Sequence, residues 1–132
     1  MYLIDTMVLS ELRLRQRDPG VVAWISNQRQ EDCFLSVVSI GEIERGIARK
    51  RSSDGAFATQ LADWLDQLLR LYGDRLLPMD VGVARRWGLL SAEIGHDSAD
   101  LLIAATALER GLKAIASGKL AVIDVRLPPI HP

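Results

Sequence analysis

The chain has 132 residues, 48 % hydrophobic and 25 % charged, with a formal net charge of −1. That composition excludes a disordered chain, and the near-neutral balance argues against a generic cationic nucleic-acid binder, though not against an enzyme that handles nucleic acid through metal ions. A chain this long buries about two-thirds of its unfolded surface, so it needs no disulfide or structural zinc to fold. The single cysteine, Cys33, lies in the apolar run CFLSVVSI and reads as a buried core thiol of a reducing compartment.

In chain order, Tyr2-Leu3-Ile4 reads as a short buried strand that runs into an aspartate, Asp5. Val8, Leu9 and Leu12 then recur at helical spacing until QRDPG breaks the pattern. VVAWISNQ predicts a second short helix and CFLSV at 33–37 a second strand. Ser39 is expected to open a helix with Ile40, Ile43 and Ile47 on one face. The clearest periodicity spans 57–72, where Phe57, Leu61, Trp64, Leu65, Leu68 and Leu71 or Tyr72 make one apolar stripe. RLLPMD at 75–80 predicts a third strand, and Val83, Trp87, Leu90 and Ile94 mark a further amphipathic helix. SADLLIAATALERG is a helix apolar on most faces, with Gly111 as its stop. KAIAS at 113–117 and AVIDV at 121–125 are the fourth and fifth strand candidates.

No linker, repeat or low-complexity tract divides residues 1–132, so one domain is expected. Alternating strands and helices specify an α/β chain: a three-layer α/β/α sandwich around a mostly parallel sheet of four or five strands. The longest uncharged helical stretch, LLIAATAL, is too short to span a bilayer, and no secretory leader is visible; a cytoplasmic protein without membrane contact is expected.

In such sheets, ligands bind beyond the carboxyl ends of the strands. Three acids share that address: Asp5 after strand 1, Glu42 in the first turn after strand 2, and Asp100 in the first turn after Gly95-His96-Asp97-Ser98. Each also has a plain structural role open to it. Asp5 could be an N-cap, Ser39-Ile40-Gly41-Glu42 fits a capping box, and Asp97 or Ser98 could cap the late helix with Asp100 facing its dipole. Such caps stabilise by about 0.5–2 kcal/mol, enough to select an acid without catalysis. All three converging to within about 4 Å would repel by several kcal/mol unless a cation lay among them. Oxygen-only donors suit Mg²⁺ or Mn²⁺ rather than zinc.

Three stretches carry a more specific signal: Tyr2-Leu3-Ile4-Asp5-Thr6 with Val8-Leu9-Ser10-Glu11, Leu35 to Gly46 around Ser39-Ile40-Gly41-Glu42, and Ala99-Asp100-Leu101-Leu102-Ile103-Ala104-Ala105-Thr106-Ala107. Together they resemble the PIN-domain ribonucleases, and more narrowly the VapC-type toxins of bacterial toxin–antitoxin pairs, over residues 1–112. The resemblance implies a PIN-like fold and a Mg²⁺-dependent endoribonuclease acting on structured RNA, often transfer RNA, with Mn²⁺ able to substitute. It also implies a homodimer and a small antitoxin partner. Asp5, Glu42 and Asp100 map onto the family's metal-binding, catalytic acids. Apart from that mapping, Asp97 is read as a candidate auxiliary ligand and Thr6 and Ser10 as candidate supports for the first acid. Arg45 and Arg49, in the basic end of the helix that begins near Ser39, are read as RNA contacts, against a solvated last turn as the plain alternative.

The chain departs from the family at two places. Met7 stands where asparagine usual to the family would orient the first carboxylate. Ala116-Ser117-Gly118-Lys119 replaces the usual late motif, and the acid after it is Asp124, in an apolar run. These departures motivate a second reading, a catalytically weak or inactive PIN domain that dimerises and binds an antitoxin. A phosphotransfer nucleophile at Asp5 is disfavoured, because the second acid such enzymes need two residues on is Met7.

Overall fold

The computed structural model describes residues 1–13, 19–95, 98–116 and 121–123. Five strands form one sheet: β1 (Tyr2–Ile4), β2 (Cys33–Ser36), β3 (Leu76–Leu77), β4 (Lys113–Ala116) and β5 (Ala121–Ile123), in the order β3-β2-β1-β4-β5. The first three pairings are parallel, and β5 closes the edge antiparallel to β4. Among the described residues six α-helices flank it: α1 (Thr6–Arg13), α2 (Pro19–Ser26), α3 (Val37–Arg51), α4 (Gly55–Tyr72), α5 (Val81–Ile94) and α6 (Ala99–Arg110). The expected α/β sandwich with a mostly parallel sheet is the observed one.

The layers follow from strand alternation, which sends successive side chains to opposite faces. Ile4, Cys33 and Leu35 join a core built with Val8, Leu9, Ile43, Ile47, Ala58, Leu65, Leu68 and Tyr72, so α1, α3 and α4 cover that face. Leu3, from between Tyr2 and Ile4, points the other way, into a core with Ile103, Ala107, Leu112 and Ala114; Phe34 packs there too. That second face belongs to α6, and α5 lies against α6 through Val83, Leu90 and Ala105. Trp24 packs edge-on against Tyr2, ring centroids 4.9 Å apart, and Trp64 and Trp87 pack against cores as well. Cys33 is buried, as its apolar context predicts.

Several boundaries differ from the expectation: the second helix spans Pro19–Ser26 rather than 21–28, and the second strand ends at Ser36 because Val37 opens the next helix. The third strand is only Leu76–Leu77 instead of 75–80. Pro78 cannot donate to a ladder, and Asp80 caps α5 instead by accepting from Val83 N at 2.9 Å. The helix expected to open at Ser39 opens at Val37, with Ser36 as N-cap accepting from Val38 N at 3.0 Å. Gly111 ends α6 at φ +67°, a left-handed turn costly for other residues, and so aims the chain into β4. Among the described residues no helix is long and apolar enough to cross a membrane.

Leu35 is fully buried at the middle of β2. Leu35→Ala is expected to destabilise the fold by about 2–5 kcal/mol, measured by urea unfolding; a loss below about 1 kcal/mol would contradict its central packing.

Candidate active site

Parallel pairing puts the carboxyl ends of β1, β2, β3 and β4 on one edge of the sheet. Asp5 follows Ile4 directly and occupies the N-cap position of α1, where its carbonyl accepts from Leu9 N at 3.2 Å. Val37 follows Ser36 directly, so α3 also starts from that edge. α6 enters β4 through Gly111 and Leu112 and therefore runs antiparallel to the strands, which brings its head, with Asp100 in the first turn, to the same edge. α6 also packs against α3 and β1.

Because α3 opens at Val37, Glu42 sits in its second turn, not its first. The capping-box alternative is thereby excluded: Ser36 is the cap, and Ser39 is a fully buried helical residue. Glu42 instead meets α1. Thr6 Oγ1 lies 2.8 Å from Glu42 Oε1 and 2.7 Å from Ser39 Oγ. The hydroxyl of the residue beside Asp5 thus serves the second acid, not the first as expected. Ser39, expected as a cap, instead places its hydroxyl at this junction and is a site feature beyond the expected set. The spacing carries its signal: residues three apart on a helix share a face, so a serine at 39 stands beside a glutamate at 42.

Asp100 is exposed, and the N-cap Ser98 makes no side-chain capping bond. The half-buried Ser10 lies one turn beyond Thr6 on α1. Asp97, His96, Asp124 and the side chain of Met7 fall outside the described residues. Other acids at the α5–α6 contact are engaged: Asp80 pairs with Arg110 at 2.6 Å and Glu109 with Arg86 at 3.2 Å.

The donor set at the edge is carboxylate and hydroxyl oxygen without histidine or thiolate, which fits a hard divalent cation. Among the described residues no three His, Cys, Asp or Glu side chains are gathered closely enough to hold an ion as they stand. The trio is therefore brought to one edge, with Glu42 anchored to the residue after Asp5, but it is not drawn into a ready coordination shell. Mutual repulsion of carboxylates opposes closer approach in the absence of a counter-charge.

The family assignment rests on comparison as well. The chain matches the PIN domain over residues 2–120. It belongs to the PIN-domain family. That match continues past residue 112, where the motif resemblance thins, and includes β4. Within the family the chain sits among VapC- and FitB-type proteins. It is 34 % identical over 120 residues to the toxin FitB of Neisseria gonorrhoeae, covering 85 % of this chain and 84 % of that protein. It is 32 % identical over 117 residues to the VapC ribonuclease Y4jK of Sinorhizobium fredii, covering 84 % and 82 %. The crystal structure of FitAcB from Neisseria gonorrhoeae superposes with a TM-score of 0.78 at 32 % identity, over 91 % of this chain and 89 % of that one. VapBC2 of Rickettsia felis shares the fold at a TM-score of 0.68 and 16 % identity, over 89 % and 87 %.

A cavity elsewhere in this PIN domain has different chemistry. A cavity of about 330 Å³ between α1, α2, β2 and α4 is lined chiefly by apolar side chains, among them Leu9, Ile25, Trp64 and Leu68, with Cys33 and Tyr72 in its wall. Burial pushes both the Cys33 thiol and the Tyr72 phenol above their ordinary pKa values, and the nearby Arg75 only partly opposes this. A raised folded-state pKa contributes stability that is complete below the unfolded value and lost as pH climbs past it. Stability is therefore expected to hold through neutral pH and fall from about pH 8.5 upward, where an unfolded cysteine ionises. Cys33→Ala should flatten the first part of that fall relative to its own value at pH 7; chemical denaturation at pH 7, 9 and 10 checks it.

Proposed function

We propose that this PIN domain is the toxin of a toxin–antitoxin pair, a metal-dependent endoribonuclease that hydrolyses phosphodiester bonds of RNA, with transfer RNA as a natural substrate class. The reading is supported by its membership of a family whose named relatives include ribonucleases and toxins, and by the acids that share the carboxyl edge. The observation that carries it is the Thr6–Glu42 bond, which ties Glu42 to the residue after Asp5 instead of to its own helix start.

Asp5, Glu42 and Asp100 would hold Mg²⁺, with Mn²⁺ able to substitute and Asp97 as an auxiliary ligand. The bound ion would lower the pKa of a coordinated water and offset the charge that builds on the phosphate. The protein's own part is placement. Asp5 is placed by the end of β1 and the start of α1, and Glu42 Oε1 accepts from the hydroxyl of Thr6. Arg45 and Arg49 follow Glu42 at i+3 and i+7 on α3, and all three lie on one helical stripe. Both arginines are exposed, so an RNA backbone crossing the acids can continue along them. Lys50 is less free, since it lies over the Phe57 ring at 5.8 Å.

Among the similar structures, FitAB and VapBC2 are complexes, each with a DNA fragment bound. By analogy we propose a small cognate antitoxin as partner here, a homodimer as the working unit, and the cytoplasm as its compartment. The exposed apolar Val81 and Leu89 on α5 are surface that such assembly can cover.

Purified protein with Mg²⁺ is expected to cleave RNA, and Asp5→Asn or Asp100→Asn to lower the rate by at least ~100-fold with the fold intact. Equal rates for variant and parent would end the metal-nuclease reading. Mg²⁺ or Mn²⁺ should also raise the melting temperature, because an ion that binds only the folded state stabilises it. No stabilisation together with no cleavage would favour the non-catalytic, antitoxin-binding reading that Met7 and the divergent late motif suggest. Arg45→Ala with Arg49→Ala should raise KM for RNA with little change in kcat, and should lessen the salt dependence of binding. An unchanged KM would remove both residues from the RNA path.

A further inference from the structure

We infer that Ser39 is a positioning residue for the proposed metal site, holding Thr6 in the rotamer that donates to Glu42. The inference rests on the nuclease reading and concerns a residue outside the acid set. It follows from counting hydrogens. Thr6 has one hydroxyl hydrogen but two oxygen neighbours, Glu42 Oε1 at 2.8 Å and Ser39 Oγ at 2.7 Å. An ionised carboxylate can only accept, so the Thr6 hydrogen goes to Glu42, and the contact with Ser39 is satisfied only when Ser39 donates to Thr6. The order is Ser39 to Thr6 to Glu42, a chain in which each hydroxyl polarises the next.

Two further observations give Ser39 this role. It is fully buried, so no solvent competes for its hydroxyl. A hydroxyl inside a helix commonly returns its bond to the carbonyl one turn back, as Thr106 does to Leu102 O at 2.8 Å. The Ser39 hydroxyl is instead turned across to α1. Thr6 without that partner is free to rotate away from Glu42, and Glu42 then loses its tie to the residue after Asp5.

The test is a double-mutant cycle read by Mn²⁺ titration with electron paramagnetic resonance, on parent, Ser39→Ala, Thr6→Val and the double variant, with Asp100→Asn as control. Alanine favours a helix more than serine does, so Ser39→Ala leaves α3 formed; circular dichroism and the metal-free melting curve verify that. Ser39→Ala is expected to weaken Mn²⁺ affinity by roughly 10-fold or more, the usual effect of removing a group that orients a ligand. In the Thr6→Val background the same change should add little, because the two residues act in series. Parent-like affinity in Ser39→Ala, or full additivity with Thr6→Val, would overturn the inference while leaving the nuclease reading intact. Absence of Mn²⁺ binding by the parent, with Asp100→Asn indistinguishable from it, would overturn both.

Discussion

The architecture depends on β1 lying between β2 and β4 with all three strands parallel. A parallel pair cannot be joined by a tight turn; each crossover must be a helix, and each helix must return along the sheet. The consequence is that α1 and α3 begin, and α6 also begins, at the same rim. Three acids separated by dozens of residues reach one edge because of that constraint. β1 supplies only three residues, yet Leu3 and Ile4 are fully buried in different cores, so the short strand fixes both layers at once.

At that rim the electrostatics work against the structure before they serve it. Asp100 in the first turn of α6 gains from the helix dipole, an effect of about 0.3–1 kcal/mol. Glu42, a turn deeper into α3, gains less from its own dipole and depends on a side-chain donor from another helix. The polypeptide thus treats the two acids differently: Asp100 is open to solvent, while Glu42 is half-buried and hydrogen-bonded. At the other end of α6, Glu109 and the α5 cap Asp80 pair with Arg86 and Arg110 in partly exposed contacts of small energetic weight singly.

The fold was legible in the sequence because its signals are periodic. The stripe from Phe57 to Tyr72 is α4, and the alternation in Cys33-Phe34-Leu35 assigns one face of β2 to each layer. The errors fell at boundaries, where one residue's backbone chemistry outweighs a pattern. Pro78 and the cap Asp80 cut the third strand to two residues, and Ser36 rather than Ser39 starts α3. The three acids were legible as types at recurring places after strands. Their placement was legible only to the level of the edge, since a side chain's partner depends on a contact across more than thirty residues of sequence.

The Ser-x-x-Glu stretch shows why that last step fails. A capping box and a pair of adjacent ligands on a helix face demand the same spacing, because both rely on residues three apart standing one above the other. What separates them is where the helix begins, and that is settled by β2. Once Cys33 and Leu35 are buried on one face and Phe34 packs on the other, the strand runs to Ser36, whose side chain is then free to cap. Ser39 is carried into the helix interior by three residues, and its hydroxyl must find a partner or stand buried and unsatisfied, at a cost of about 1–3 kcal/mol. Thr6 is the partner, and Thr6 already lies at the end of β1. The register of β1 against β2, with Tyr2 opposite Cys33 and Leu3 opposite Phe34, brings the start of α1 alongside the start of α3, where Thr6 meets Ser39 and Glu42.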